Sequence, residues 1–124
     1  MLLSLKYFLP LLTMTSVYLS CDKPGTTCLK AKVIRVSCAS FVVQVLNQDS
    51  VGEYGWRDVG GHAVYNNVFN IGNSCEIGKI QKGEEFYFEL EDSLKQSDCI
   101  RCMMFDAPPE KSFLVKNVSR RKCK

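Results

Sequence analysis

Seven cysteines constrain this chain more than any other feature, because sulfur pairs restrict how so short a polypeptide can fold. They follow a basic and apolar start, the mark of a chain that enters an oxidising compartment, where disulfides form and persist. Each bridge adds about 2–4 kcal/mol, against a total stability of roughly 5–15 kcal/mol for a small domain. We therefore predict a disulfide framework drawn from Cys21, Cys28, Cys38, Cys75, Cys99, Cys102 and Cys123.

The N-terminus has the pattern of a secretory signal peptide over residues 1–20. Lys6 precedes a short apolar run, and small residues follow it. The run is shorter than the roughly 18–20 residues that span a membrane, so we predict a secreted, extracellular protein without membrane insertion. Cleavage after residue 20 keeps Cys21, whereas cleavage after Cys21 leaves an even set of six cysteines. The mature chain, residues 21–124, is predicted to be a single disulfide-rich β domain.

Apolar residues alternate with polar ones along most of this chain, the pattern of half-buried strands. The clearest case is "GEEFYFELE", in which Phe86, Phe88 and Leu90 share one face. Helix signals are confined to one short segment, residues 91–102, and a glycine-rich loop or loose hairpin is expected over residues 47–62. The fold class is therefore mainly β, a small barrel or sandwich. Strands are predicted in residues 31–48 (one strand, or two joined near 37–40), 63–71, 83–91 and 111–119.

No constellation of residues typical of an enzyme accompanies these strands. Cys99 and Cys102 form a C-x-x-C, but no second such motif follows, and structural pairing is the favoured interpretation. His62 lies in the glycine-rich loop without a recognisable catalytic motif around it. The carboxylates of Glu84 and Glu85 are neighbours on a strand and so point to opposite faces. We predict a non-enzymatic protein without cofactor or metal.

Two segments are candidates for binding a partner. The loop holds Tyr54, Trp56 and Arg57, an aromatic and basic set of the kind found in interface hot spots, although a lone Trp also commonly covers a core. The C-terminal tail holds Arg120, Arg121 and Lys122, which could bind an anionic glycan or simply be solvated.

The remaining sequence features bear on the partner and on modification. The formal net charge of +3 is too small to indicate nucleic-acid binding. Asn117 begins a glycosylation sequon. The predicted partner is an extracellular protein or an anionic glycan, and the sequence leaves the oligomeric state open.

The cysteine order and the segment "CEIGKIQKGEEFYFELE" resemble the netrin-like modules, which include the C-terminal domains of complement components and the tissue inhibitors of metalloproteinases. Cys21 follows the signal peptide, and Cys28 and Cys38 flank the first predicted strand. The resemblance implies an OB-like, five-stranded barrel with a flanking helix. It also implies that Cys21 pairs with Cys75, Cys28 with Cys99 or Cys102, and Cys38 with Cys123. The chain departs from the family in its seventh cysteine, in the short stretch between Cys38 and Cys75, and in lacking the inhibitors' C-x-C start.

These features favour a secreted binding module that recognises an extracellular protein or glycan. Two alternatives stay open at this point. The first is a metalloproteinase inhibitor acting through its N-terminus, which requires cleavage immediately before Cys21. The second is a cysteine-rich toxin or defence protein.

Overall fold

A computed structural model describes residues 27–91 and 97–123. The predicted signal peptide, Cys21 and most of the predicted helix lie outside these residues, and the described end of that helix, residues 97–102, is not helical. The described chain is mainly β, as predicted. Its strands are β1 (Leu29–Val36), β2 (Phe41–Val45), β3 (Trp56–Arg57), β4 (Val64–Tyr65), β5 (Val68–Ile71), β6 (Glu85–Leu90), β7 (Ser112–Phe113) and β8 (Val115–Ser119). A single 3-10 turn, Ser74–Glu76, is the described helical element.

Six strands form one curled sheet in the order β7-β5-β2-β1-β6-β8. Adjacent strands in this sheet are antiparallel, except that β5 and β7 run parallel. The two edge strands, β7 and β8, are separated in the chain by Leu114 alone. Because one residue spans no more than about 3.6 Å, the sheet must curl until its two edges approach each other.

The side chain of Asn73, just after β5, bonds to the start of β8 where the backbone pairing of β5 ends. The last parallel hydrogen bond runs from the N–H of Gly72 to the carbonyl of Phe113, with 2.8 Å between N and O. Beyond it, the buried Asn73 amide accepts from the N–H of Val115 (2.9 Å) and donates to its carbonyl (2.7 Å). The amide group therefore substitutes for a strand backbone and satisfies two buried main-chain groups.

The interior of the curl is an aromatic and aliphatic core. Phe69, Phe86 and Phe88 are fully buried, and the ring centroids of Phe69 and Phe88 lie 5.8 Å apart. The predicted alternation along β6 is confirmed, because Phe86 and Phe88 face this core while Glu85 is exposed. Residues 37–40 form a turn between β1 and β2, which confirms the two-strand interpretation of residues 31–48.

A second apolar cluster lies on the outer face of the sheet. Ile34, Val42 and Val68 project there and are covered by Trp56. The covering segment is the predicted loose hairpin, since β3 pairs antiparallel with β4. The predicted strand over residues 63–71 is divided in two, because Asn67 adopts a left-handed φ of 58° between β4 and β5.

The described cysteines form three disulfides, which confirms structural pairing but not the connectivity that the family resemblance implies. The bonds join Cys28 with Cys123, Cys38 with Cys102, and Cys75 with Cys99, with Cα atoms 5.5–5.7 Å apart in each pair. The implied pairings of Cys21 with Cys75, of Cys28 with Cys99 or Cys102, and of Cys38 with Cys123 are therefore wrong. The physical reason is proximity. The curl brings residues 99–102 close both to the β1–β2 turn, which contains Cys38, and to the 3-10 turn, which contains Cys75.

Candidate functional site

The most exposed apolar segment of the described chain begins within the C-x-x-C motif, at Ile100, and continues to Phe105. Ile100 is 98% exposed, Met103 102% and Phe105 86%, and Met104 is also exposed. We call residues 100–105 the apolar loop. Clusters of large apolar side chains left in water commonly mark interaction surfaces.

Two disulfides hold the backbone of the apolar loop. Cys99 is bonded to Cys75 in the 3-10 turn, and Cys102 is bonded to Cys38 in the β1–β2 turn. The N–H of Cys102 also donates to the carbonyl of Cys38 (3.3 Å). These covalent bonds prevent the loop from folding back to bury its apolar side chains.

The guanidinium of Arg101 adds a polar attachment between the two disulfides. Its Nη2 donates to the carbonyls of Ile71 (3.2 Å) and Gly72 (2.7 Å) at the end of β5. Within the loop, Arg101 and Cys102 are therefore bonded to neighbouring segments although both remain exposed, whereas Ile100 and Met103 are almost completely in contact with solvent.

Asp106 fastens the end of the apolar loop to the β1–β2 turn. Its carboxylate accepts hydrogen bonds from the hydroxyls of Ser37 and Ser40 and lies 3.3 Å from Nη2 of Arg35. Burial by itself raises the pKa of Asp106, but these two hydrogen bonds and the Arg35 charge outweigh it, so the pKa lies below its ordinary value of 3.8. The carboxylate is therefore held ionised at neutral pH.

Arg35 connects the same carboxylate to the hairpin that covers the outer face. Its Nη1 donates to Asp58 (2.6 Å), and its guanidinium lies 5.1 Å from the centroid of the Trp56 ring. The indole N–H of Trp56 in turn donates to the carbonyl of Ala107 (3.1 Å). These half-buried contacts form a continuous polar network beneath the apolar loop, so its base is anchored at both ends.

A groove of about 520 Å³ lies beside the apolar loop. Phe41 and Ile80 contribute its buried apolar floor, and both loop disulfides line it. Its charged lining residues are Lys79, Lys82 and Arg101, with no Asp or Glu among the residues that line it. The groove is therefore apolar below and cationic at its rim.

A second cavity, of about 570 Å³, lies elsewhere on the molecule and is more polar. It is bordered by Glu91 and Ser97, the residues on either side of the undescribed segment 92–96.

The predicted loop residues are not brought together as a binding set. Trp56 is 8% exposed and belongs to the outer core cluster, so it covers a core and offers no contact surface of its own. Tyr54 is 63% exposed, and Arg57 is exposed on β3. His62 is also exposed.

The predicted tail residues divide in a similar way. Arg120 forms an ion pair with Glu84 (2.9 Å) and donates to the carbonyl of Lys79 (3.2 Å), whereas Arg121 and Lys122 are exposed. Asn117, the sequon residue, is exposed in β8 and donates from its amide to the carboxylate of Glu89.

The apolar loop escaped the sequence analysis, because part of it fell within the segment interpreted as a short helix. One signal was available: "CMMF" places three large apolar residues consecutively, without the polar alternation that a half-buried strand shows. A consecutive apolar run between a cysteine and "DAPP" is therefore worth testing as an exposed surface.

No protein-family model matches this sequence, and no curated protein is significantly similar to it. In residues 27–91 and 97–123 there is no helix with the length and hydrophobicity of a transmembrane segment. Over those same residues, no three His, Cys, Asp or Glu side chains converge where a metal ion could be held.

Proposed function

We propose that this chain is a secreted, non-enzymatic binding module, built on an OB-like barrel, that recognises an extracellular protein through its apolar loop. The single observation that carries the proposal is the near-complete exposure of Ile100, Met103 and Phe105 on a backbone fastened by two disulfides. Methionine and aromatic side chains are enriched in protein interfaces, and a rigid backbone lowers the entropy lost on binding.

The strand order supports the OB-like part of the proposal. An OB-type barrel has five strands in a partly open Greek key. Here β1, β2, β5 and β6 provide four of them, and the nearly continuous β7–β8 segment provides the fifth, parallel to β5 at one end and antiparallel to β6 at the other. Such a barrel is compatible with the netrin-like resemblance, although the disulfide connectivity differs from that of the family.

The disulfides also support secretion. Three intramolecular bonds in so short a chain are typical of oxidising compartments. Together with the signal-peptide pattern of residues 1–20, they favour an extracellular destination. Expression in a secretory cell line tests this: the protein should reach the medium, and its N-terminus should begin near Cys21.

A protein partner is favoured over a glycan partner by the chemistry of the exposed groups. Glycan binding through the basic tail would rest on Arg121 and Lys122, because Arg120 is already paired with Glu84. The apolar loop offers side chains suited to apolar contact, without a nucleophile or a proton-transfer group among Ile100, Met103, Met104 and Phe105.

The test is a binding screen of the secreted protein against an array of extracellular ectodomains. We expect binding to at least one ectodomain, and expect the M103S/F105S variant to lose it. The matched control is Y54S/V59S, which removes two exposed apolar side chains from the predicted loop site instead. Binding that is lost only in the control, or that survives in both variants, contradicts the proposal, as does the absence of loop-dependent binding across the array.

A further inference from the structure

The groove beside the apolar loop indicates what kind of protein segment the partner would present. This inference rests on the proposed function, since it describes the chemistry of the surface that the apolar loop would contact. Three features of the groove carry it: the sign of its charges, the apolar surface beneath them, and the rigidity of the elements that form it.

The first feature is the sign of the charges. Lys79 and Lys82 are exposed on the turn that precedes β6, and within the described residues neither ammonium forms an ion pair with a carboxylate. Arg101 also lines the groove, and its guanidinium donates to the carbonyls of Ile71 and Gly72. Three cations around one concave surface attract a ligand with negative charge.

The second feature is the floor. Phe41 and Ile80 close the bottom of the groove, and Ile100 of the apolar loop stands at its side. A volume of about 520 Å³ accommodates a few side chains of a bound segment. A ligand with charged groups alone would leave this apolar surface in contact with water. We therefore expect the ligand to carry an apolar side chain next to its charged groups.

The third feature is rigidity. The turn that carries the two lysines is fixed by hydrogen bonds from the N–H of Gly83 to the carbonyl of Val33 (2.8 Å) and from the N–H of Glu84 to the carbonyl of Gln81 (3.1 Å). Cysteines of both loop disulfides also line the groove. The groove therefore exists before a ligand arrives, which reduces the free energy that ordering would cost on binding.

We infer that this groove binds an extended acidic and apolar segment of the partner protein, in which carboxylates lie beside a large apolar side chain. The carboxylates would contact Lys79, Lys82 and Arg101, and the apolar side chain would rest on Phe41 and Ile80. A concave site suits a polypeptide segment better than a bilayer, whose surface cannot enter a groove between two disulfides.

The experiment is a selection from a random-peptide display library on the immobilised, secreted protein. Peptides enriched on the wild type should combine Asp or Glu with adjacent large apolar residues, and their binding should weaken as the salt concentration rises. The K79E/K82E variant should bind the enriched peptides at least about tenfold more weakly. The matched control, R121E/K122E, carries the same change in charge on the exposed tail and should bind them as the wild type does.

Each other outcome overturns the inference. Enrichment of basic or uncharged peptides would contradict the inference. An equal loss of binding in K79E/K82E and R121E/K122E would also contradict it, because it would indicate general charge attraction. Binding to phosphatidylserine vesicles that requires the apolar loop would assign the surface to a membrane. Sedimentation as a dimer that K79E/K82E converts to a monomer would assign it to a second copy.

The two proposals fail in different ways. If M103S/F105S abolishes binding to the ectodomain while K79E/K82E leaves it unchanged, the apolar loop is the site. The inference that the partner presents an acidic segment to the groove is then wrong. If K79E/K82E abolishes it while M103S/F105S has no effect, the groove acts without the loop, and the proposed function is wrong. Loss in both variants, with R121E/K122E unaffected, is the expected result.

Discussion

Strand β6 and the apolar loop are both rich in large apolar side chains, yet they lie in opposite environments. Phe86 and Phe88 of β6 are fully buried, whereas Met103 and Phe105 of the loop are almost fully exposed. The difference shows that hydrophobicity alone does not determine burial. The decisive variable is whether the backbone of a segment is free to turn its apolar face inward.

In β6 the backbone and the hydrophobic effect act together. Polar residues separate Phe86 from Phe88, so one pleated face is apolar and packs on the core while Glu85 on the other face stays in water. In the apolar loop, Met103, Met104 and Phe105 are consecutive, and the flanking Cys102 and Asp106 fix the backbone. Leaving one such side chain exposed forgoes about 1.5–3 kcal/mol of burial, which a disulfide of about 2–4 kcal/mol offsets.

The largest expected effect contrasts one phenylalanine from each region. Phe88→Ala should lower the free energy of unfolding by about 3–5 kcal/mol, because it leaves a cavity in the aromatic core. Phe105→Ala should change it by less than about 0.5 kcal/mol, because the side chain makes no core contacts. Urea denaturation of both variants measures this, and equal losses would mean that Phe105 is part of the core.

The next effect separates global stability from local order in the loop. Replacing the Cys38–Cys102 bridge by the double variant C38S/C102S should cost about 2–4 kcal/mol. The matched control is C28S/C123S, which removes a bridge distant from the loop at a similar global cost. Hydrogen exchange of residues 100–105 should accelerate more in the first variant. Equal acceleration in both would show that the Cys38–Cys102 bridge does not order the loop.

A smaller effect concerns the polar end of the apolar loop. Asp106→Asn should cost about 1–3 kcal/mol at neutral pH, since Ser37, Ser40 and Arg35 lose a charged partner. The native pKa of Asp106 lies below its ordinary value of 3.8, so its contribution is present above that pH and disappears as the pH falls through the lower native pKa.

The difference in unfolding free energy between wild type and Asp106→Asn should therefore shrink at acidic pH. Denaturation midpoints measured from neutral pH down to below about 3 test this. Asp98→Asn, which removes the same charge at an exposed position, is the matched control. A gap between wild type and Asp106→Asn that persists at the lowest pH would show that the carboxylate charge does not stabilise the network.

The smallest effect is expected in the basic tail, which lies close to the groove. Arg120→Gln removes the surface ion pair with Glu84 and should cost less than about 1 kcal/mol, because both groups remain partly solvated. Thermal unfolding at low and high salt measures it. A loss of several kcal/mol would mean that the tail is an integral part of the curled sheet and not an accessory to it.

Much of the sheet was predictable because strand patterns are local. The alternation around Phe86 and Phe88 located β6, whereas the sequence left open whether residues 31–48 form one strand or two, and the structure shows two. The left-handed residue Asn67, which divides β4 from β5, was not predictable from alternation, because nothing in a pattern of apolar residues reports a backbone angle.

The candidate site was much less predictable. Tyr54 and Trp56 are near neighbours in sequence but differ in exposure, since Trp56 turns inward to cover Ile34 and Val68. Exposure of Phe105 depends on bonds between residues more than sixty positions apart, such as the bridge from Cys102 to Cys38. Local patterns carry no information about contacts of that kind.

The sequence by itself determined that the chain is mainly β, that its cysteines pair, and which faces of its clearest strands are apolar. These are consequences of local periodicity and of residue chemistry. Only the tertiary structure decided which cysteines pair and which apolar residues stay in water. Both depend on how the sheet curls, because the curl decides which loops meet at its end, and the disulfides between those loops hold the chain there with its apolar side chains in water.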